Sequence, residues 1–436
     1  MDIASARQVS GLKAFRQGFR DCLGAWGDTL FELGDALLTI RGPLSSLPML
    51  SLEPGFRRGH ASLYRALSGG SVDQSAFAGL LASASPADWP QVYAVDTSTY
   101  PRTDAETSPE REFCHIPGSR IIPGHAFSLI SRLSFTRDSW TAPADIRRFH
   151  PGRDRRAETA QQVHDVIARL AAGSSPLFVF DAGYSCEGVA DAIAGTLAAG
   201  LVRLRADARL HRDPPERVAG QMGRPRTHGA LLRCADLEAL PAPDETLVVA
   251  DESCGTVTVS AWHGVHPRVA RDRSGRITRG SLITVRLDRP RSRRVLPPLR
   301  LFWIGPGLPD LDLVWRAYLH RFDIEHTFRF FKRTLGWTVP SLGIPERLER
   351  WTAVVVAAYT QLRLAIGLVA DRRLPWQRPL LPGQLTPGRV RADFSHVAVT
   401  VGSPATAPKV TQPGPGGSKG VTRPRRPRFP VVRRRR

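Results

Sequence analysis

Cysteine is scarce and poorly placed for chemistry. The five residues, Cys22, Cys114, Cys186, Cys234 and Cys254, are odd in number and scattered, with no Cys-x-x-Cys pair. That pattern argues against a disulfide framework and against a thiolate zinc site. Lysine is scarcer still, at positions 13, 332, 409 and 419 only, so arginine carries nearly all the positive charge, which reads as compositional bias. Long hydrophobic runs are missing as well. The longest, residues 353–358, stops at Tyr359-Thr360-Gln361, and Arg363 follows. It is too short to span a bilayer, and the opening MDIASARQVS has no apolar signal core. These absences point away from the membrane and towards the cytoplasm. Acidic residues are absent after position 400, where Lys409, Lys419, Arg423, Arg425, Arg426, Arg428, Arg433, Arg434, Arg435 and Arg436 all lie.

What is present is a chain of 436 residues, long enough for two or three domains. Its apolar fraction of 42% suffices for a sizeable core. Sixty-one basic against forty acidic residues leave a net charge of +21. Such a charge speaks to partners, not to fold, and phosphate backbones are the polyanions it fits. Roughly half of the excess sits in the last stretch and the rest is spread over the body.

Along the chain, residues 1–88 read as helical, with Leu30, Leu33, Leu37 and Leu38 at helical spacing and a second helix over 61–67. Arg57, Arg58 and Arg65 give this region a basic side that is a candidate for DNA contact. VYAVDTSTYP (92–101) begins as a buried strand that ends in an acid, and residues 115–135 read as a hairpin around Pro and Gly turns. LFVFDAGYS (177–185) is a second buried strand ending in an acid. It is followed by a helix (186–200) and a strand (201–206), which together predict a βαβ unit with parallel neighbours. Residues 207–299 read as a β-rich insertion, with alternating strands at 256–262 and 281–287. A buried strand at 299–305 precedes one long helix over about 311–335 and another over about 346–369. Beyond residue 375 no helical pattern is read, and disorder is expected from about 403. No internal repeat is found.

The helix at 311–335 carries the chemistry. At ~100° per residue, Arg321, Glu325 and Lys332 fall about −60°, −20° and −40° from Tyr318, all in one stripe. Ile324, Phe328, Phe331 and Leu335 form an adjoining apolar stripe that should face the core. Alone, that polar stripe reads as a solvated face with an Arg321–Glu325 pair. Asp96 and Asp181, alone, read as turn formers or helix caps. Together they change the reading, because an acid ending a buried strand lies at the sheet rim, where open α/β sheets place their sites. Three carboxylates in a basic protein suit hard divalent cations and can hold two ions ~4 Å apart for in-line phosphodiester displacement.

Tyr318-x2-Arg321-x3-Glu325-x6-Lys332 resembles in full the Tyr-Arg-Glu-Lys signature of cut-and-paste insertion-sequence transposases. The resemblance covers roughly residues 90–375, with the contexts Asp96-Thr97 and FVFDAGY in order before the helix. It implies an α/β, ribonuclease H-like core in two parts (89–206 and 300–375) around the 207–299 insertion, after the 1–88 helical region and before the 376–436 extension. It further implies that Asp96, Asp181 and Glu325 ligate Mg²⁺, or Mn²⁺ in its place. Tyr318, Arg321 and Lys332 would hold the backbone of double-stranded DNA near the cut, and two copies would pair on transposon ends, associated with the nucleoid. Rival readings are a decayed transposase that only binds DNA, and a related nuclease that cuts without joining. Weaker signals remain. Gly223-Arg224-Pro225-Arg226 reads as a minor-groove hook or as an exposed basic loop. Trp262 and His263 invite a base-stacking role, although a strand-end Trp is more often core. His125 reads as structural or as an approach to the site, and Gly183 as the residue of a tight turn.

Overall fold

Strand alternation sends successive side chains to opposite faces, and the run 92–95 shows it. Val92 and Ala94 lie in one packed cluster, whereas Tyr93 and Val95 lie in another. In the computed structural model, which describes residues 3–116, 120–216, 222–223, 226–268, 277–288, 297–381, 383–409 and 425–433, this run belongs to β1 (Val92–Pro101). β1 pairs in parallel with β5 (Leu177–Phe180), and β5 in parallel with β6 (Ala199–Arg203). On its other side β1 pairs antiparallel with β3 (Arg120–Leu133), which takes up β2 (Glu112–Ile116) and β4 (Thr141–Arg148), both antiparallel. The parallel pairing of 177 and 201 follows the βαβ expectation, with α6 (Cys186–Ile193) as the connecting helix. Of the hairpin read at 115–135, residues 117–119 lie outside the described residues.

Between 207 and 299 lie β7 (Arg209–Arg212), β8 (Leu231–Arg233), β9 (Glu245–Asp251), β10 (Gly255–Pro267) and β11 (Gly280–Leu287). These strands are not set apart. β11 pairs with β12 (Leu299–Ile304) and β12 with β6, so the stretch prolongs one sheet, twelve-stranded among the described residues.

Helices cover both faces. On one lie α5 (Arg155–Ile167) and α6, through Val163, Val166, Val189, Ala192 and Ile193. On the other lie the N-terminal helices α1 (Ile3–Asp21), α2 (Gly27–Thr39), α3 (His60–Gly69) and α4 (Gln74–Ser83). With them pack α7 (Leu311–His320), α8 (Asp323–Arg333) and α9 (Pro345–Leu364). The apolar run at 353–358 is thus the middle of a buried helix, and no described helix is long and apolar enough to cross a membrane. The helical region shares its core with the sheet. Arg16, 2% exposed, fastens that union: it donates to Asp35 at 2.8 and 3.0 Å, to Gln361 at 2.6 Å and to the Gly402 carbonyl at 2.8 Å.

Three expectations need correction. The single helix read over 311–335 is two, α7 and α8. Around Arg321 and Phe322 the bonding switches to Ile324 N–H→Arg321 O (3.2 Å) and Glu325 N–H→Phe322 O (3.0 Å). Such i→i+3 bonds tighten the turn, and no Pro or Gly marks the place. Secondly, a helix does form beyond residue 375, α10 (Pro387–Val401). Pro387 sits where a helix tolerates it, at the first turn, and Val390, Phe394, Val397 and Val401 are buried at helical spacing. Thirdly, the described residues beyond 403 make defined contacts. Arg57 and Arg58 donate to the carbonyls of Ala405 and Thr406 at 2.8 Å each, and Val432 bridges to Glu112. Residues 410–424 and 434–436 of that tail lie outside the described residues.

Candidate active site

Asp96 does not end its strand, as the sequence reading had it; it is the fifth residue of ten in β1. What ends there is the parallel pairing. Val95–Phe180 is the last paired couple of β1 and β5, after which β5 stops and the chain turns at Asp181. Asp96 and Asp181 therefore stand as consecutive positions on adjacent strands, at the carboxyl rim of the parallel pair. The turn after Asp181 is held by the Gly183 N–H, which donates to Asp181 Oδ1 at 2.9 Å. A Cβ on Gly183 would stand 3.0 Å from that same oxygen. The glycine leaves room for that carboxylate as it stands; its backbone is not left-handed.

Asp96 shares its face with Val92 and Ala94, the face that α7 and α8 cover. Asp310 caps α7 by accepting from Asp312 N–H and Leu313 N–H, which fixes where the helix begins. Across the tightened turn the polar stripe survives. Arg321 donates to Glu325 Oε1 at 2.9 Å, lies 3.7 Å from Asp96 Oδ2, and sits 5.9 Å from the Tyr318 ring centre. Arg321 is thus a buried cation (9% exposed) wedged between two of the three carboxylates, with its Nη1 lacking a hydrogen bond. Ile324, Phe328, Phe331 and Leu335, the expected core stripe, are all buried.

The electrostatics tie all six residues together. Burial pushes the Asp96 carboxyl up to about 7; Arg321 opposes this, while Asp181 and Glu325 add to it. Arg321 is held above its usual range: burial works against its charge, and Asp96, Tyr318, Glu325 and Asp181 outweigh it. Burial pulls Lys332 down, and Asp96 partly restores it. Burial also raises the phenol of Tyr318, against the pull of Arg321 and Arg203.

Two residues escaped the sequence reading. Arg203, the last residue of β6, lies close enough to Tyr318 to lower its phenol and brings a further cation to the rim. Its signal was available, since it ends an apolar strand as Asp181 follows one. Tyr184 hydrogen-bonds Thr97 Oγ1 at 3.2 Å and is raised by burial, then by Asp96 and Asp181. Nothing in its local pattern distinguishes it.

Other candidates stand elsewhere. Trp262 is buried and donates to the Pro241 carbonyl at 2.8 Å, so its ring is spent in the core. His263 bonds Ser281 Oγ at 2.9 Å. His125 is buried beside Ser108 among Arg148, Arg102 and Arg111, which together with burial push it down to about 3. Arg57 and Arg58 are engaged by Glu32 at 2.7 and 3.3 Å. In the loop read as a hook, Arg224 and Pro225 lie outside the described residues.

The carboxylates are the donors a hard dication takes, and Asp181 and Glu325 add to the rise that burial imposes on Asp96. As placed, however, no three His, Cys, Asp or Glu side chains among the described residues converge to hold one ion. Arg321 is the cation that bridges Asp96 and Glu325 here. The site is a surface rim: a cleft of about 760 Å³ between α4, β4, α5 and α9 includes none of the six residues.

A partly exposed rim of acids on a mixed α/β sheet, set around the buried Arg321 and beside Lys332, suits a phosphodiester-cutting enzyme. The chain belongs to the DDE superfamily endonucleases, whose family model matches residues 18–268. The match spans Asp96 and Asp181 and stops before Glu325. No curated protein matches the chain.

Proposed function

We propose that this endonuclease is a DNA transposase, which cuts the ends of a mobile element and joins the freed 3′-hydroxyl to target DNA. The observation that carries the reading is the Arg321 bridge. It draws Glu325, which the family match does not reach, to within one guanidinium of Asp96. A ribonuclease H-like core is supported by the strand order β4-β3-β1-β5-β6, three antiparallel strands and then two parallel, with Asp96 on the central one.

In this reading Asp96, Asp181 and Glu325 would hold Mg²⁺, with Mn²⁺ able to replace it. When bound, the metal supplies Lewis-acid stabilisation of charge on the phosphate oxygens. Arg321 then has a second task. A guanidinium makes bidentate contacts to phosphate as readily as to carboxylate, so it is suited to leave Glu325 for the DNA backbone. Lys332 adds a point charge beside it, and the Tyr318 ring lies 5.9 Å from the Arg321 guanidinium. Double-stranded DNA as partner, and two copies acting together on a pair of ends, belong to the same proposal.

Nicking of a labelled duplex carrying the element's end tests it, with Mg²⁺, with Mn²⁺ and with chelator. Asp96→Asn, Asp181→Asn and Glu325→Gln should each abolish cleavage while still shifting the duplex in a gel, because an amide is a poorer ligand for a hard dication. A variant that cuts at the wild-type rate removes that residue from the set. Cleavage without transfer of the 3′ end to a second duplex would mark a nuclease that does not join.

A further inference from the structure

The last described stretch, residues 425–433, lies against the protein in an unusual manner: its main chain does the holding. Phe429 N–H donates to the Glu106 carbonyl at 2.8 Å, and Val432 N–H to the Arg111 carbonyl at 2.7 Å. Arg111, itself 3% exposed, returns a bond to the Phe429 carbonyl at 3.0 Å. Val432 forms a parallel bridge with Glu112 of β2. Because the backbone is used for attachment, the guanidiniums face outwards. Arg425, Arg426, Arg428 and Arg433 are all exposed, and Arg428 reaches only Glu106, at 3.2 Å on the open surface.

The place is as telling as the manner. Glu112 pairs with Gly124, and Gly124 with Pro101, the last residue of β1. Pro101 is five residues beyond Asp96, about 17 Å along the strand at ~3.3 Å per residue. Arg426 Nη1 lies 3.9 Å from where a Cβ on Gly343 would stand, in the loop after α8, and that loop is tied to β1 by Tyr100 Oη–H→Pro340 O at 2.6 Å. The arm therefore lies against β2, two strands from β1, and reaches the loop that follows α8.

We infer that residues 425–433 form a docked arm that binds the phosphate backbone of duplex DNA at the β2 edge of the sheet that carries the catalytic rim. The inference rests on the DNA-cutting reading of the rim for its partner. The charge complementarity is local: four outward arginines on a strap held by main-chain hydrogen bonds, whose one carboxylate partner among the described residues is the exposed Glu106.

The test uses the full chain, chelator and a duplex of random sequence, so that binding is read without catalysis. A failure of the catalytic reading would show separately, as wild type that does not nick with metal. The variant R425A/R426A/R428A/R433A should have a salt slope (log K against log salt) shallower by about 0.9 for each phosphate that is no longer neutralised. Val432→Pro keeps every charge but removes the bond to Arg111. A docked cation has a higher local concentration than a tethered one, so this variant should bind about three- to tenfold more weakly. Hydrogen exchange at Phe429 should be slow in the free protein and stay slow on DNA. An unchanged salt slope in the fourfold variant would overturn the inference. So would wild-type affinity in Val432→Pro, or loss of Phe429 protection when DNA binds.

Discussion

Residue by residue, Arg321 decides most. It is the counter-ion of an acidic cluster and is itself buried, so Arg321→Ala should leave Asp96 and Glu325 facing each other without compensation. Removing one partner of a largely buried pair costs on the order of 3 kcal/mol. Lys332→Ala, at a half-buried position, should cost under about 1 kcal/mol. Thermal melts in chelator would check this, and adding Asp96→Asn to Arg321→Ala should recover part of the loss. Equal melting of the two single variants would mean that Arg321 holds nothing together. His125 supplies a pH signature. Its folded value near 3 lies below the ordinary ~6.5, so the unfolded chain binds the extra proton and stability falls as pH drops from 6.5 towards 3. The loss is bounded by about 1.4 kcal/mol per pH unit. His125→Asn should flatten the melting curve against pH in that window, and an unaltered slope would place the titration elsewhere. The six rim residues were legible in the sequence because two rules sufficed, an acid after an apolar strand and a stripe at helical spacing. The burial of Arg321 was not, since it depends on which strand lies under the helix. Tyr184 was missed for the same reason, its partner Thr97 being remote in the chain, whereas Arg203 could have been read from its place at the end of an apolar strand.

At the level of elements, local pattern gave the right strands and misjudged their ends. β1 continues past Asp96 because β3 goes on pairing with it as far as Pro101–Gly124, although β5 has already stopped. Pairing partners set strand length, and one strand's residues cannot report on a neighbour's. The division of α7 from α8 was likewise invisible, as residues 320–324 contain no breaker. α10 had its periodicity in plain view, hidden only by the prolines around it. The turn after β5 yields a prediction of its own. Gly183→Ala would press a methyl group to 3.0 Å from Asp181 Oδ1, and the carboxylate is easier to rotate than the backbone. Cleavage should therefore fall at least tenfold, about 1.4 kcal/mol in the barrier, with a melting temperature within a few degrees of wild type. A variant that cuts normally would show that the orientation of Asp181 is not critical.

For the whole molecule, the sequence announced an insertion and the fold made it part of the sheet. Pairing between β11 and β12 joins two strands that follow one another along the chain, yet it decides whether 207–299 hangs from the protein or continues it. Since Arg203 and Leu301 are cross-strand partners, a short turn could replace residues 207–298 without moving either strand. The product should nevertheless be insoluble, because β12 would present Leu301 and Trp303 along an unpaired edge. A soluble, monomeric product with the wild-type melting temperature would show that the outer strands add nothing to the sheet. The Arg16 knot has a different kind of consequence. Its partners come from α2, α9 and the residue that ends α10, so the helical region cannot be traded between relatives as a cassette. A chimaera that takes its first 88 residues from elsewhere inherits Asp35 without Gln361, or Arg16 without the Gly402 carbonyl. Such a lineage would have to exchange both ends of the gene together, or neither.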